Sequence, residues 1–250
     1  MPVSVFNCLD GNRIDMTVFV LVHGAYHGGW CWRAVTSVLR SQGHDVYSPS
    51  LTGLGDRAHL ATPDTDLQTH IDDIANLIRW EELHDVVLVG HSYGGVVIGG
   101  VADLLGERIK ALVFVDALLP EDGKSVMDYQ TSERAKYLLD RATAHDGWRL
   151  PPVTAAVYGV DDPDLASWVD QKCVAHPLAT FMQRQNLSGQ WMKVPALTYI
   201  RCTQSGLDYM DRFSAHAAAD ENWSVHYMPT GHDCMVTEPD HLAALLMTHI

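Results

Sequence analysis

The stretch that decides the fold is Val86-Val87-Leu88-Val89-Gly90-His91-Ser92-Tyr93-Gly94, which continues into a run of small residues at 94–100. Four apolar residues before a glycine are typical of a buried strand, and the run after the glycine predicts the start of a helix. A Gly-x-Ser-x-Gly motif at such a turn presents the serine hydroxyl above the strand ends, with a helix N-terminus beneath it. The motif therefore predicts that Ser92 is a nucleophile.

The composition is that of a compact globular protein. Of its 250 residues, 47% are apolar and 19% are charged, which is enough for an α/β domain with a large core. A formal net charge of −14 disfavours nucleic acid and anionic membranes as partners. We find no run of roughly 18 apolar residues and no signal-peptide pattern. We therefore expect a cytoplasmic protein that acts on a small molecule. The sequence leaves open whether it forms a homodimer.

The cysteines agree with that expectation. There are five, at Cys8, Cys31, Cys173, Cys202 and Cys234, and their spacing shows no paired C-x-x-C pattern. An odd, scattered set disfavours a disulfide framework or a zinc site, and it favours free thiols in a reducing cytosol.

Around the Ser92 turn, short apolar runs alternate with segments of helical periodicity. The run 17–22 is typical of a strand buried on both faces, and apolar residues recur at helical spacing through 66–82. This alternation predicts a mostly parallel sheet with helices on both faces. The other predicted strands are 45–48, 86–89, 111–115, 196–202 and 225–228, and the other helices are 30–41, 94–105, 208–219 and 238–248.

Residues 120–192 break this rhythm, because they are rich in proline and tryptophan and contain no clear strand core. We expect them to form an inserted, mostly helical cap over the carboxyl edge of the sheet. The core would then comprise 1–119 and 193–250. The first fifteen residues are either an extra strand or a dispensable extension, and the sequence leaves both open.

A serine hydroxyl is a weak nucleophile, so it needs a general base, which in turn needs an orienting acid. In this architecture the histidine follows the last strand, and His232 in Thr-Gly-His-Asp occupies that place. Two acids compete. Asp116 closes the strand after the Ser92 helix, where a carboxylate is costly unless paired, and we prefer it. The runner-up is Asp208, which is equally suited to begin a helix.

An oxyanion hole needs two backbone N–H groups aimed at the developing charge. One should come from Tyr93 and the other from the loop after the first strand, with Ala25 as the donor. His23 and His27 are four apart in that loop. They lie on a Gly-rich loop without a carboxylate cluster, so we expect no metal there.

These motifs together resemble the α/β-hydrolase superfamily, and more narrowly the group of plant methylesterases, hydroxynitrile lyases and related bacterial esterases. The matching stretches are Phe19–Ala25, Gly28–Trp30, Leu51–Gly55, Gly90–Gly95 and Gly231-His232. The resemblance implies an α/β-hydrolase fold, no cofactor and an acyl-serine mechanism.

Two departures from that group bear on function. Its plant members place an aspartate near Ser205, whereas some relatives use an acid after the strand that follows the nucleophile helix, as Asp116 does. Its lyases carry a threonine at Gly24 and a lysine shortly after the histidine. Here Asp233-Cys234-Met235 follows His232, so lyase activity is disfavoured.

The expected substrate is a small to medium, neutral, hydrophobic carboxylic ester. Lactone, carbamate or amide hydrolysis is the alternative, and a non-catalytic ligand-binding protein of the same fold is the second alternative. We found no basic cluster that would hold an anionic substrate. The expected pocket walls are Trp30, Leu118, Leu119, Tyr158, Phe181 and Met182.

Overall fold

A computed structural model describes residues 16–249, so the alternatives for the first fifteen residues lie outside the described part of the chain. Six parallel strands form the main sheet in the order β2-β1-β3-β4-β7-β8, and β5 pairs with β6 in a separate antiparallel ribbon. The strands are β1 Val18–Val22, β2 Asp45–Tyr47, β3 Val86–His91, β4 Ile109–Val115, β5 Arg149–Leu150, β6 His176–Pro177, β7 Ala196–Cys202 and β8 Trp223–Met228.

The α-helices connect these strands and confirm the predicted alternation. They are α1 Arg33–Ser41, α2 Leu67–Trp80, α3 Gly94–Leu105, α4 Ser132–His145, α5 Pro163–Asp170, α6 Ala179–Met182, α7 Asp211–Ala218, α8 Cys234–Thr237 and α9 Pro239–Leu246. Among the helices of residues 16–249, none is long and apolar enough to cross a membrane.

The central strands of the sheet, β1, β3, β4 and β7, are buried on both faces, as the continuous apolar runs predict. Along β1, Val20 and Val22 belong to one hydrophobic core, while Phe19 and Leu21 belong to the other. Side chains alternate between the faces of a strand, so each face has its own core. One core includes residues of α2 and α3, and the other includes residues of α1 and α9.

The strand order explains where a site can form. The chain winds one way from β1 to β2 and the other way from β3 to β4, so the order reverses between the neighbours β1 and β3. In open parallel sheets, ligands bind in the crevice outside the carboxyl ends of strands at such a reversal. The loop after β1 and the turn after β3 meet at this point.

The segment between β4 and β7 contains α4, α5 and α6, and short 3-10 helices at Val126–Tyr129, Ala155–Tyr158 and Gln190–Lys193. It also contains the β5–β6 ribbon, which sequence periodicity did not predict, because two residues in each strand are too few to show alternation. The division into a core and a cap at 120–192 remains a proposal.

Candidate active site

The Ser92 turn has the sharp geometry that the motif predicts. Ser92 has a φ of +54°, in the left-handed region that favours glycine. A Cβ on Gly90 would lie 2.6 Å from the Gly94 carbonyl oxygen, and a Cβ on Gly94 would lie 2.7 Å from that of Val22. Both positions therefore require glycine. The strained turn is held because Ser92 N–H donates to the Val115 carbonyl at 3.1 Å.

His232 and Asp116 lie together at the carboxyl edge of the sheet. His232 follows β8 and Asp116 follows β4, and their Nδ1 and Oδ2 atoms are 2.6 Å apart. Both side chains are buried. A carboxylate on Nδ1 places the histidine proton there and leaves Nε2 free to accept one, which is the arrangement a general base needs.

Arg201 in β7 supports the second oxygen of Asp116. Its Nη1 donates to Asp116 Oδ1 at 2.7 Å, and the Cys202 N–H donates to the same oxygen at 3.2 Å. Burial alone raises the pKa of Asp116, but the hydrogen bond and charge of His232 and the Arg201 guanidinium outweigh it. The pKa of Asp116 therefore lies below its usual range.

The competing acid, Asp208, forms no hydrogen bond or ion pair with His232 within residues 16–249. Asp208 begins a short 3-10 helix, Asp208–Met210, and its side chain is exposed. Ser205, near the position where plant members of the resembling group carry an aspartate, instead accepts a hydrogen bond from Arg201 Nη1 at 2.7 Å. The serine thus helps to hold the arginine that contacts Asp116. Sequence reasoning missed Arg201, although a lone arginine in an apolar strand was the available signal.

The loop after β1 packs directly against the Ser92 turn. A Cβ on Gly24 would lie 2.9 Å from both Ser92 Cβ and His91 Nδ1, so this close approach requires glycine. The His23 ring accepts from Leu51 N–H at 3.0 Å and contacts the Gly24 carbonyl at 2.8 Å. Burial lowers the pKa of His23 to about 3, so the ring is neutral and donates to Gly24 through Nδ1.

That hydrogen bond orients the peptide whose N–H belongs to Ala25. The carbonyl of Gly24 and the N–H of Ala25 point in opposite directions across one trans peptide. Ala25 and Tyr93 both line the same cavity as Ser92 and His232. The cavity measures about 70 Å³. Residues 16–249 form no hydrogen bond between Ser92 Oγ and His232, and such bonds commonly tighten only when substrate binds.

Three of the six expected wall residues line this cavity, namely Leu118, Tyr158 and Phe181. The other three, Trp30, Leu119 and Met182, do not line this cavity. Trp30 stacks on His27 with ring centroids 5.3 Å apart, and Met182 is 49% exposed. Leu119 lines a separate cavity of about 750 Å³ that contains none of Ser92, His232 and Asp116. Sequence reasoning missed the other residues that line the cavity, which are Tyr26, Val126, Gln130, Arg134, Leu138, Val153, Val157, Leu207, Tyr209 and Met210.

His91 contacts the backbone of the loop that carries His232. Its Nε2 donates to the His232 carbonyl at 2.9 Å, and the two rings lie 4.5 Å apart. Burial, followed by the nearby His232, lowers the pKa of His91 to about 3, so this ring is neutral. His91 is one of the two variable residues of Gly-x-Ser-x-Gly, and the motif alone carries no signal of its role.

The parallel sheet, the strand-to-helix serine turn and the histidine after the last strand define an α/β enzyme of the hydrolase type. The sequence profile described as "Alpha/beta hydrolase family" matches residues 19–245. Because this match covers most of the 250 residues, the chain belongs to the α/β-hydrolase family.

Similar proteins agree with this assignment. The chain is 40% identical over 243 residues to a carbendazim hydrolyzing esterase of Nocardioides sp. (strain SG-4G), covering 92% of this chain and 98% of that protein. It is 27% identical over 245 residues to Methylesterase 2 of Arabidopsis thaliana, covering 90% and 89%. The chain is accordingly an enzyme of the carboxylic ester hydrolase class, and the resemblance to methylesterases and bacterial esterases is confirmed.

A solved structure shares the fold. An extracellular α/β-hydrolase from a Paenibacillus species superposes with a TM-score of 0.83 at 23% identity, covering 93% of this chain and 98% of that one. At this identity the likeness shows the fold alone, and it confirms the predicted sheet and its flanking helices.

Proposed function

We propose that this enzyme cleaves a small to medium, neutral, hydrophobic carboxylic ester through an acyl-serine intermediate. The observation that carries the proposal is the buried pair of His232 and Asp116, 2.6 Å apart, with His232 lining the same cavity as Ser92. Such a pair can supply the general base that a serine hydroxyl, otherwise a weak nucleophile, needs.

The reaction proceeds in two halves. His232 Nε2 takes the proton of Ser92 as Oγ bonds to the ester carbonyl carbon, and the Ala25 and Tyr93 N–H groups stabilise the oxyanion. The carbon–alkoxide bond then breaks while His232 gives its proton to the departing alcohol. In the second half His232 deprotonates water, which attacks the acyl carbon and releases the acid with Ser92 restored.

The cavity supports a neutral substrate. Leu118, Phe181, Leu138 and Val126 contribute apolar walls, and Arg134, an exposed residue of α4, also lines the cavity. Burying a charged group against such walls is costly, whereas an alkyl or aryl group gains free energy there. The formal net charge of −14 also disfavours an anionic substrate.

A carbamate is the alternative substrate class that a specific observation favours. The relative that is 40% identical over 98% of its own length is a carbendazim hydrolyzing esterase. Carbendazim is a methyl carbamate, whose carbonyl carbon bears both an oxygen and a nitrogen substituent. The same serine and oxyanion donors can attack that carbon and release methanol, so carbendazim belongs in the first substrate panel.

Turnover and labelling test the proposal together. We expect hydrolysis of p-nitrophenyl butyrate, loss of nearly all activity in Ser92→Ala, and little change in Ser41→Ala, which alters an exposed serine on α1. A fluorophosphonate should label Ser92, identified by peptide mass spectrometry. A folded wild-type protein with neither turnover nor label would contradict catalysis and favour the ligand-binding alternative.

We further propose a cytoplasmic location and a small molecule as the binding partner. Cys31, Cys173, Cys202 and Cys234 are free thiols within the described residues, which supports a reducing compartment. The homodimer remains a prediction that sedimentation analysis can decide.

A further inference from the structure

A second buried histidine–aspartate pair lies beside the first. Asp233, the residue after His232, places its Oδ2 3.0 Å from His27 Nε2. The other ring nitrogen, His27 Nδ1, lies 2.8 Å from the carbonyl oxygen of Ala25. The two side chains are almost entirely inaccessible, at 2% exposure for His27 and 0% for Asp233. Neither lines the cavity that contains Ser92.

The hydrogen bonds of His27 define its protonation state. A neutral imidazole carries one N–H, but here both ring nitrogens face oxygen acceptors, a carbonyl and a carboxylate. Because the pKa of Asp233 is lowered and its carboxylate is ionised, both contacts are hydrogen bonds only if the ring is an imidazolium. Asp233 Oδ1 has no hydrogen-bond partner among residues 16–249, so His27 is the main compensation for this buried charge.

The electrostatic surroundings agree with the geometry. Burial lowers the pKa of His27, but the charge and hydrogen bond of Asp233 outweigh it and raise the pKa well above its ordinary value. Burial raises the pKa of Asp233, and His27 more than offsets this, so that pKa is lowered. An ion pair of this kind is held by mutual compensation, and removing one partner leaves an uncompensated buried charge.

We propose that His27 and Asp233 are a positioning pair, an imidazolium–carboxylate clamp that holds the Ala25 segment in place as an oxyanion-hole donor. The role rests on the serine mechanism proposed above. Because Asp233 directly follows His232, the clamp also ties the loop of the base to the loop of the oxyanion donor.

The clamp is one of several histidine contacts that hold the backbone around Ala25. His23 Nδ1 donates to the Gly24 carbonyl before it, and His27 Nδ1 donates to the carbonyl of Ala25 itself. The next N–H, that of Tyr26, donates to His176 Nδ1 at 3.3 Å. Tyr26 has a φ of +68°, so this segment needs fixed contacts on either side to keep its shape. An oxyanion donor contributes most when it needs no reorganisation during the reaction.

The groups packed around His27 are compatible with a cation. The Trp30 ring stacks on it at 5.3 Å with an interplanar angle of 24°, a geometry that favours a positive charge over an aromatic face. The titratable groups facing it include Asp233, Cys173 with Sγ 4.0 Å from Nε2, His91 at 6.4 Å between ring centroids, and Tyr158 at 5.8 Å. The neutral His23 is also near enough to interact with its charge, and Lys172 Nζ lies 5.9 Å from the centroid of the Trp30 ring.

Nitrogen NMR of the unaltered enzyme tests the charge directly. At about pH 8, well above the ordinary histidine value of about 6.5, both ring nitrogens of His27 should still be protonated. The His27→Gln variant assigns the signal by its disappearance. A neutral His27 ring at that pH would overturn the proposal, and this measurement needs no Asp233 variant to fold.

Kinetics test the positioning role. Asp233→Asn should lower kcat by about tenfold to hundredfold, less than the 10²–10³ lost with an outright oxyanion donor, while KM changes by less than about twofold. A trifluoromethyl ketone, which forms a serine-bound oxyanion, should bind more weakly by about the same factor. Asp140→Asn, at an exposed residue of α4, is the matched control and should change neither.

The outcomes separate this role from the reaction that it serves. An active wild-type enzyme whose folded Asp233→Asn variant keeps its kcat and its ketone affinity would remove the positioning role alone. A wild-type protein without turnover would remove the serine mechanism and this role with it. A rise in KM with kcat unchanged in Asp233→Asn would also overturn the proposal, because it indicates an effect on substrate binding.

Discussion

At the scale of single residues, the carboxylate of Asp116 is satisfied on both oxygens by different elements. One oxygen faces His232 and the other faces Arg201 and the Cys202 N–H. Arg201 in turn contacts the exposed Asp211, with Nη2 2.7 Å from the carboxylate. The arginine thus favours ionised Asp116 without competing for the oxygen that holds the histidine.

We therefore expect Asp116→Asn to lower kcat by about 10⁴, because an amide can hold the wrong histidine tautomer while leaving the shape intact. Asp208→Asn, at an exposed aspartate, should change kcat by less than about twofold. Steady-state kinetics on p-nitrophenyl butyrate measure both. A large loss at Asp208 with Asp116→Asn unaffected would reverse the assignment of the acid.

The residues that sequence reasoning did not find are those whose partners are remote in the chain. Ser92, His232 and Ala25 could be placed from motifs, since each follows a strand in a characteristic local pattern. Arg201 and Asp233 act through contacts 85 and 206 residues away. A lone arginine in an apolar strand marks Arg201 as unusual, but the local sequence does not identify the partner of either residue. Long-range pairing of single side chains is set by strand order and register, which periodicity does not contain.

At the scale of elements, periodicity predicted the long strands and helices well. The expected strand 196–202 matches β7 at both ends, and 66–82 contains α2. The expected strand at 86–89 continues to His91 in β3, because the backbone stays extended up to the turn. The segment between β4 and β7 was less predictable, since its short elements are stabilised by tertiary contacts rather than by repeating patterns.

Helix α4 places Leu138 against the Ser92 cavity, whereas its neighbour Leu139 is 38% exposed. Leu138→Ala should open space for longer acyl chains. We expect the ratio of kcat/KM for p-nitrophenyl hexanoate over acetate to rise about fourfold for each methylene newly buried. The ratio does not depend on how much of the variant is folded. This matters because such a substitution lowers the free energy of unfolding by about 2–5 kcal/mol.

Leu139→Ala is the matched control on the same helix and should leave the ratio unchanged. An equal rise of this kcat/KM ratio in both variants would indicate that either substitution loosens helix α4 as a whole. An unchanged ratio in Leu138→Ala would mean that the acyl group does not reach this wall.

At the scale of the whole molecule, buried neutral histidines surround the site. Burial lowers the pKa of His23 and His91 to about 3 and that of His70 to about 4, and it places the pKa of His176 well below 6.5. Burial thus keeps these rings neutral, and a neutral ring can donate from one nitrogen and accept at the other. His70, for example, donates to the Thr52 carbonyl and accepts from the Tyr93 hydroxyl. These buried histidines thus hold neighbouring loops in place through hydrogen bonds to the backbone.

This arrangement predicts a fall in stability on mild acidification. Below pH 6.5 the unfolded chain protonates these histidines, whereas the folded protein does not until the pH approaches 3 to 4. Each such histidine should reduce the free energy of unfolding by about 1.4 kcal/mol per pH unit below 6.5, or about 2 kcal/mol at pH 5. His27, whose pKa is raised, loses its contribution only as the pH rises above 6.5. The pKa values of Asp116 and Asp233 are lowered, so their contribution to the free energy of unfolding begins to fall only below about pH 3.8.

Urea unfolding at pH 7 and pH 5, followed by circular dichroism, measures this difference. We expect wild type to lose several kcal/mol between the two, and His23→Asn, which keeps a donor for the Gly24 carbonyl but cannot titrate, to lose about 2 kcal/mol less. The difference between pH values is the quantity to compare, because the smaller side chain lowers stability at both. An equal loss in wild type and His23→Asn would mean that His23 is protonated in the folded protein, which its acceptance of the Leu51 N–H forbids.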